Sequence, residues 1–272
     1  FHYLTSQNHP FFLMFRKLLL PLVGNRHFFP FSYWILRQAR TLAFGNLWDF
    51  HTNGELEAVA FSNQRFPIHV FVDVGANTGA YFQAVSPLLP DQSTEFHLFE
   101  PSPQTFSQLV QSSDQGRKVI KNQLALGKSS SEKVPFFNHP NPVYSGFHSD
   151  HLRESKAIEV AMTTLDLYAT NLEINQIDFL KLDVEGHEFD VLLGAKTLLE
   201  EGKIKAIQFE FGVNNLQSRT YFKDFFDLLT PDFDLFLIQR GGLIHLPTYE
   251  FELEAFGKVS NFLAIQKSIP QS

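Results

Sequence analysis

The sequence predicts an α/β fold: a doubly wound, mainly parallel sheet of seven strands, its last pair antiparallel, preceded by an N-terminal helical extension. Three observations carry this. After Pro67, apolar runs of strand length alternate with segments of helical length, the rhythm of βαβ units. The first run, VFVDV, passes through Gly75 and Gly79 into a helix-compatible stretch. The final runs are separated by Arg240-Gly241-Gly242 instead of a helix, which turns the last strand back against its neighbour.

Taken in order, residues 1–66 are rich in Phe, Leu and Arg without strand-like alternation, and predict two or three helices with turns at 21–25, Phe29-Pro30 and Thr52-Asn53-Gly54. The apolar run 11–23 is broken by Arg16, Lys17 and Pro21 and lacks a small-residue cleavage site. It reads as a packing or homodimer surface, not as a membrane anchor or signal peptide. Strands are expected at 70–74, 95–99, 119–122, 179–182, 206–211, 235–238 and 261–266, and helices at 78–86, 103–112, 188–200 and 220–229. The second of these helices opens with Ser102-Pro103, an N-cap followed by proline in the first turn. The third carries an apolar stripe of Phe189, Leu192, Leu193, Ala195 and Leu199. Between these units the rhythm breaks at about 128–162, a polar insertion containing His139, His148 and His151, of the kind that is functional or disordered. The expected organisation is therefore an extension over 1–66 and one domain over 67–272.

Composition narrows the function. The 272 residues contain no cysteine, which removes disulfides and thiolate metal sites. A reducing compartment is allowed, and a cytoplasmic location is expected. No run of about 18 apolar residues is present to span a bilayer. The net charge of -7, with no dense Lys/Arg cluster, disfavours nucleic acid as a partner.

Three constellations can carry chemistry. In DVGANTG, the glycines let backbone N–H groups approach a ligand, and the following helix directs its positive end there. A dinucleotide loop needs a third, central glycine, and Asn77 stands in its place. Asp73 would repel a pyrophosphate and can hold an ammonium. These features favour S-adenosylmethionine over NAD. A plain strand-turn-helix connection is the alternative for the loop alone. Glu100 ends the next strand at the spacing of an acid that accepts two ribose hydroxyls. Asp183, Glu185 and His187 alternate where the fourth strand gives way to a helix, and Glu210 ends the next strand. Such a set can orient a hydroxyl, act as general base or hold a divalent cation such as Mg²⁺ through Asp183, Glu185 and Glu210. Glu188 reads as a helix cap.

In order along the chain, DVGANTGAY, FEPSP, NQLALG, TTLD, IDFLKLDVEGHEFDVLLGA, FEFG and NFLA resemble the landmarks of the FkbM-family methyltransferases. The resemblance covers about residues 53–266. It implies a class I, Rossmann-like S-adenosylmethionine-dependent methyltransferase that methylates a hydroxyl of a sugar, glycan or natural-product acceptor. It implies cofactor contacts from Asp73, Gly75, Ala76, Asn77, Gly79 and Tyr81, a ribose-binding segment at Glu100, Pro101 and Ser102, and an adenine-side strand end at Gln123 and Leu124. Asp183 would lie near the transferred methyl, with Glu185, His187 and Glu210 as further catalytic candidates. An NAD(P)-dependent oxidoreductase and a non-catalytic binding protein on the same fold are the rival readings.

Overall fold

The computed structural model describes residues 22–44, 49–139, 145–147, 155–254 and 259–267. His148, His151 and most of the run 11–23 lie outside these residues. The chain divides into two compact units, Phe1–Ala43 and Phe44–Ser272. Helix α1 (Phe29–Phe44) begins in the first. Helix α2 (Glu55–Arg65), expected in the N-terminal extension, belongs to the second.

The second unit is built on an eight-stranded sheet. Its strands are β1 (Val70–Val74), β2 (Glu95–Phe99), β3 (Lys118–Asn122), β7 (Ile177–Leu182), β8 (Ile204–Phe211), β9 (Phe233–Gln239), β10 (Gly242–His245) and β11 (Ser260–Gln266). Their spatial order is β10-β9-β11-β8-β7-β1-β2-β3. β1 to β3, β7 and β8 run parallel, whereas β11 is antiparallel to both β8 and β9. The seven expected strands and the antiparallel last pair are all present. The eighth, β10, is the return limb of a hairpin through Arg240-Gly241, exposed and too short to register as an apolar run.

Central parallel strands are covered on both faces and therefore read as continuous apolar runs. One face of the sheet packs α2, α3 (Ala80–Val85) and α4 (Pro103–Gln111) through Ala58, Val59, Phe82, Val85 and Leu109 onto Phe71, Phe96, Phe179 and Ala206. The other packs α5 (Leu165–Asn171), α6 (Glu188–Leu193), α7 (Lys196–Glu200) and α9 (Phe222–Leu229) onto Val72, Leu180, Ile207, Phe209 and Phe262. A one-turn helix, α8 (Asn215–Ser218), precedes α9. Phenylalanine supplies much of this core: Phe209 stacks on Phe225 with ring centroids 4.7 Å apart. Each such ring contributes on the order of 2–3 kcal/mol by burial.

The helix expected over 188–200 is broken into α6 and α7. The break falls at Gly194, where the chain of Gly127 approaches so closely that a Cβ would collide with its backbone carbonyl. The approach is closed by Asp166, whose carboxylate accepts from the N–H groups of Thr197 (2.8 Å) and Leu198 (3.0 Å) at the start of α7. The polar insertion is a structural element of its own. β5 (Ser131–Asn138) and β6 (Lys156–Thr163) form an antiparallel arm that joins β4 (Ala125–Leu126) in a second, three-stranded sheet.

Candidate active site

The strand register assembles the site. Val74 pairs with Phe99 on one side and Leu182 on the other, so Gly75, Glu100 and Asp183 emerge level from three adjacent strands. β1 and β7 are also where the chain order of the sheet reverses, the crevice in which open α/β sheets bind ligands.

At this edge Gly75 (φ 88°) packs so closely on β7 that a Cβ would strike the Asp183 carbonyl oxygen. Its glycine requirement thus comes from the protein's own backbone. The N–H groups of Gly75 and Ala76 donate to the Phe99 carbonyl at 3.0 and 2.9 Å. Asn77 (φ 51°) and Gly79 (φ 87°) take left-handed conformations that turn the chain into α3. The Asn77 backbone N–H donates to the Glu100 carboxylate, which also accepts from the Ser102 N–H at 2.8 Å. Glu100 is buried, and burial pushes its carboxyl up to about 7, partly offset by those two N–H groups. Ser102 caps α4 and donates to Asn138 at 3.0 Å, tying the β5 arm to the same edge. Pro101 and Leu124 are half-buried and Gln123 is exposed, on the loops beside Glu100.

Asp73 is fully buried, and neither carboxylate oxygen has a hydrogen-bond partner. Burial raises it to about 6; the Lys181 ammonium opposes this, while Asp183 and Glu55 add to it. In register, Asp73, Lys181 and Gln208 form one row across β1, β7 and β8. Lys181 is 3% exposed, donates to Asp183 at 2.8 Å and lies 4.5 Å from the Tyr81 ring centroid. Burial alone would strip its proton, but Asp183, Asp73 and Glu55 outweigh it and hold the ammonium well above its usual range. The row continues into a buried polar network. Tyr81 donates to Gln208 (3.1 Å), and Gln208 donates to Glu55 (2.8 Å). Asn53 (2.6 Å) and Asn261 (2.9 Å) also donate to Glu55. Tyr81, expected to touch a cofactor, has its hydroxyl committed to this network.

The acidic residues behave differently from one another. The Asp183 side chain is 40% exposed and faces a fixed cation. Glu185, at φ 55° in the strained Glu185-Gly186 turn, accepts from Asn214; burial, then Asp183 and Glu188, push it well up. Glu210, half-buried, is pushed up by burial and by Asp183, Glu185 and Glu188. The cap role expected of Glu188 takes the form of a clamp, its carboxylate accepting from the N–H groups of Val184 (2.9 Å) and Gly186 (3.2 Å). His187 is not brought into this group. It is buried beneath Phe147, with ring centroids 4.5 Å apart, against Gly127 and within 3.7 Å of Asp190. Among the described residues, no three His, Asp or Glu side chains come together to hold a metal ion, so the Asp183, Glu185 and Glu210 set is not a preformed cation site. His139 is placed at the end of the β5 arm, where its N–H donates to Ser145 at 2.9 Å.

The sequence model of the methyltransferase FkbM domain matches residues 73–237, more than half of the chain. The chain belongs to the FkbM methyltransferase family. A stretch of 147 residues is 29% identical to the hexuronic acid methyltransferase AglP of Haloferax volcanii, covering 53% of this chain and 57% of that protein. The chain thus spans just over half the length of this curated relative. Among solved structures, the FkbM methyltransferase of Methylobacillus flagellatus KT aligns with a TM-score of 0.46 at 14% identity, over 73% of this chain and 44% of that one. The Podospora anserina methyltransferase PaMTH1, solved with S-adenosylhomocysteine, aligns with a TM-score of 0.43 at 11% identity, over 79% and 78%.

In this FkbM-family chain the network around Lys181 is the part that sequence pattern did not single out. Lys181 stands two residues before Asp183 in a strand otherwise apolar at alternate positions, and that was the available signal. Asn53 and Glu55 were visible only as a turn and a helix start, and Asn261 only as part of NFLA.

Proposed function

We propose that the chain is an S-adenosylmethionine-dependent O-methyltransferase whose acceptor is a hydroxyl of a sugar or glycan. The observation that carries this is the level emergence of Gly75, Glu100 and Asp183 from three neighbouring strands, with the unpartnered carboxylate of Asp73 behind them. The residues fit the cofactor. Asp73 is an acceptor without a donor, suited to an ammonium, and Glu100 is an acceptor at the spacing of a ribose. The left-handed turn at Asn77 and Gly79 leaves backbone at the start of α3. Bound there, the cofactor would supply an electrophilic methyl group on a positively charged sulfur.

The chain's own residues supply positioning and a proton acceptor. Asp183 is the accessible carboxylate of the cluster, its Oδ2 anchored by Lys181, and it orients the acceptor hydroxyl and takes its proton. Glu185, pushed up by burial and by Asp183 and Glu188, and Glu210, pushed up by burial and by Asp183, Glu185 and Glu188, resist ionisation and so limit the negative charge gathered in the crevice. The likeness to a hexuronic acid methyltransferase supports a sugar acceptor.

The test is transfer of labelled methyl from S-adenosylmethionine to a panel of uronic acids, neutral sugars and glycans, with calorimetry of S-adenosylhomocysteine alongside. Asp183→Asn is expected to keep cofactor affinity and lose at least about 100-fold in turnover, the usual scale of general base catalysis. A chain that binds no S-adenosylhomocysteine would refute the reading. An Asp183→Asn variant with unchanged turnover would remove Asp183 from its role.

A further inference from the structure

Helix α1 leaves every side chain from Phe29 to Ala43 exposed, although ten of its sixteen residues are Phe, Tyr, Trp, Ile, Leu or Ala. Phe31, Trp34, Ile35, Gln38 and Leu42 recur at i, i+3, i+4, i+7 and i+11 and so share one face. Phe31, Trp34, Ile35 and Leu42 are between 44% and 85% exposed. Arg37 and Arg40 stand on the opposite face with Tyr33, Phe29 and Leu36, so the helix is most apolar, not solely apolar, on the Trp34 side. A 16-residue helix is roughly 24 Å long. No helix among the described residues is long and apolar enough to cross a membrane.

The charge around this helix separates it from the rest of the chain. Residues 1–44 hold Arg16, Lys17, Arg26, Arg37 and Arg40 and no Asp or Glu, whereas the whole chain carries -7, so residues 45–272 carry -12. A second copy, whose residues 45–272 are acidic, is the rival occupant, and the test below separates it from a lipid surface. An anionic lipid surface accounts for both features, since it takes an aromatic and aliphatic face into the acyl boundary and pairs the arginines with headgroup phosphates.

We infer that α1 is a membrane-surface helix that lies in the headgroup region of an anionic bilayer and holds the methyltransferase unit at that surface. The inference goes beyond the proposed reaction and stands independently of it.

The test uses the full chain carrying Trp48→Phe, which leaves Trp34 as its sole tryptophan. Phosphatidylcholine vesicles with and without phosphatidylglycerol are added, and Trp34 fluorescence and co-sedimentation are read. A blue shift and co-sedimentation are expected with the anionic vesicles only. Each cationic side chain near such a surface contributes about fivefold, so Arg37→Gln with Arg40→Gln should weaken partitioning about 30-fold. Trp34→Glu with Ile35→Glu should abolish it. Absence of vesicle binding, equal binding to neutral vesicles, or full binding by the double glutamate variant would overturn the inference. So would a dimer in sedimentation velocity that Ile35→Glu dissolves without altering vesicle binding.

Discussion

Lys181→Met removes the one cation in the row Asp73–Lys181–Gln208, and the structure sets the size and the pH dependence of the effect. The ammonium is 3% exposed and offsets the charges of Asp73, Glu55 and Asp183. The part owed to Asp183 is discounted, because that side chain is 40% exposed and water screens it. Asp73 and Glu55 are buried, and leaving buried charges without their counterion costs about 3–5 kcal/mol. They can escape that cost by taking up protons. With Lys181 in place, Asp73 titrates at about 6, against about 4 in an unfolded chain. A raised carboxyl pKa means that the folded state holds the proton longer, so stability falls as pH rises through the interval between the two values. Without Lys181, the folded-state values of Asp73 and Glu55 rise further and the interval extends upward. The loss is therefore nearly complete at pH 8 and much smaller at pH 5.

For a unit of this size 1 kcal/mol moves the thermal midpoint by about 2–4 °C, so the expected drop at pH 8 is roughly 6–20 °C. Scanning fluorimetry of parent and variant at pH 5 and pH 8 reads it directly. An equal drop at both pH values would refute the reasoning, because it would assign the loss to packing of the alkyl stem. No drop at either pH would show that the row is not charge-coupled.

Glu188→Gln retains an oxygen for the Val184 and Gly186 N–H groups but removes a carboxyl that burial holds at about 7. The parent loses stability from about pH 4 to 7 at this residue and the variant does not. The variant should therefore gain on the parent by about 3 kcal/mol between pH 5 and pH 8 in urea unfolding. Glu100, held at about 7, would accept ribose hydroxyls best when ionised, if it has the ribose-binding role proposed for it. Calorimetry should show S-adenosylhomocysteine affinity rising with pH through 7 in the parent and flat in Glu100→Gln. Gly194→Ala pushes a Cβ into the Gly127 carbonyl, whereas Gly241→Ala meets no atom within 4 Å and only strains φ of 85°. The first should cost more than about 3 kcal/mol and the second about 1, read as thermal midpoints.

The central parallel strands were legible because they are buried runs covered on both faces, as IDFLKL is. The site edge was legible because Asp73, Glu100 and Asp183 stand where those runs stop. The β5 arm was not, since SEKVPFFN buries only Phe136 and so lacks a period that sequence can show. Helix α5 has seven residues, too few for a helical stripe, and its start is marked only by the Thr164 hydroxyl accepting from Leu167 at 3.1 Å. The stripe across 188–200 is continuous in sequence. It divides where two remote partners meet it, Gly127 against Gly194 and Asp166 at the N–H groups of Thr197 and Leu198.

The chemistry of the acids follows the same logic of remote partners. Counted along the chain, Asp183, Glu185, His187 and Glu210 are four interchangeable candidates. In the folded unit they are distinguished by what each faces. Phe147 covers His187, Asn214 takes up Glu185, and burial beside other acids raises Glu210. Asp183 alone combines exposure with a fixed cation, and the charge of that cation is sustained by Asp73 and by Glu55, which accepts from Asn53, Gln208 and Asn261. The carboxylate proposed to take the proton is thus set apart by a buried network on the far side of the strand end. Substitutions at Glu55 or Asn261, both buried behind the strand ends, should disturb the pH profile of turnover through Lys181. An unchanged profile in Asn261→Leu, in a chain that still folds, would separate the network from the reaction.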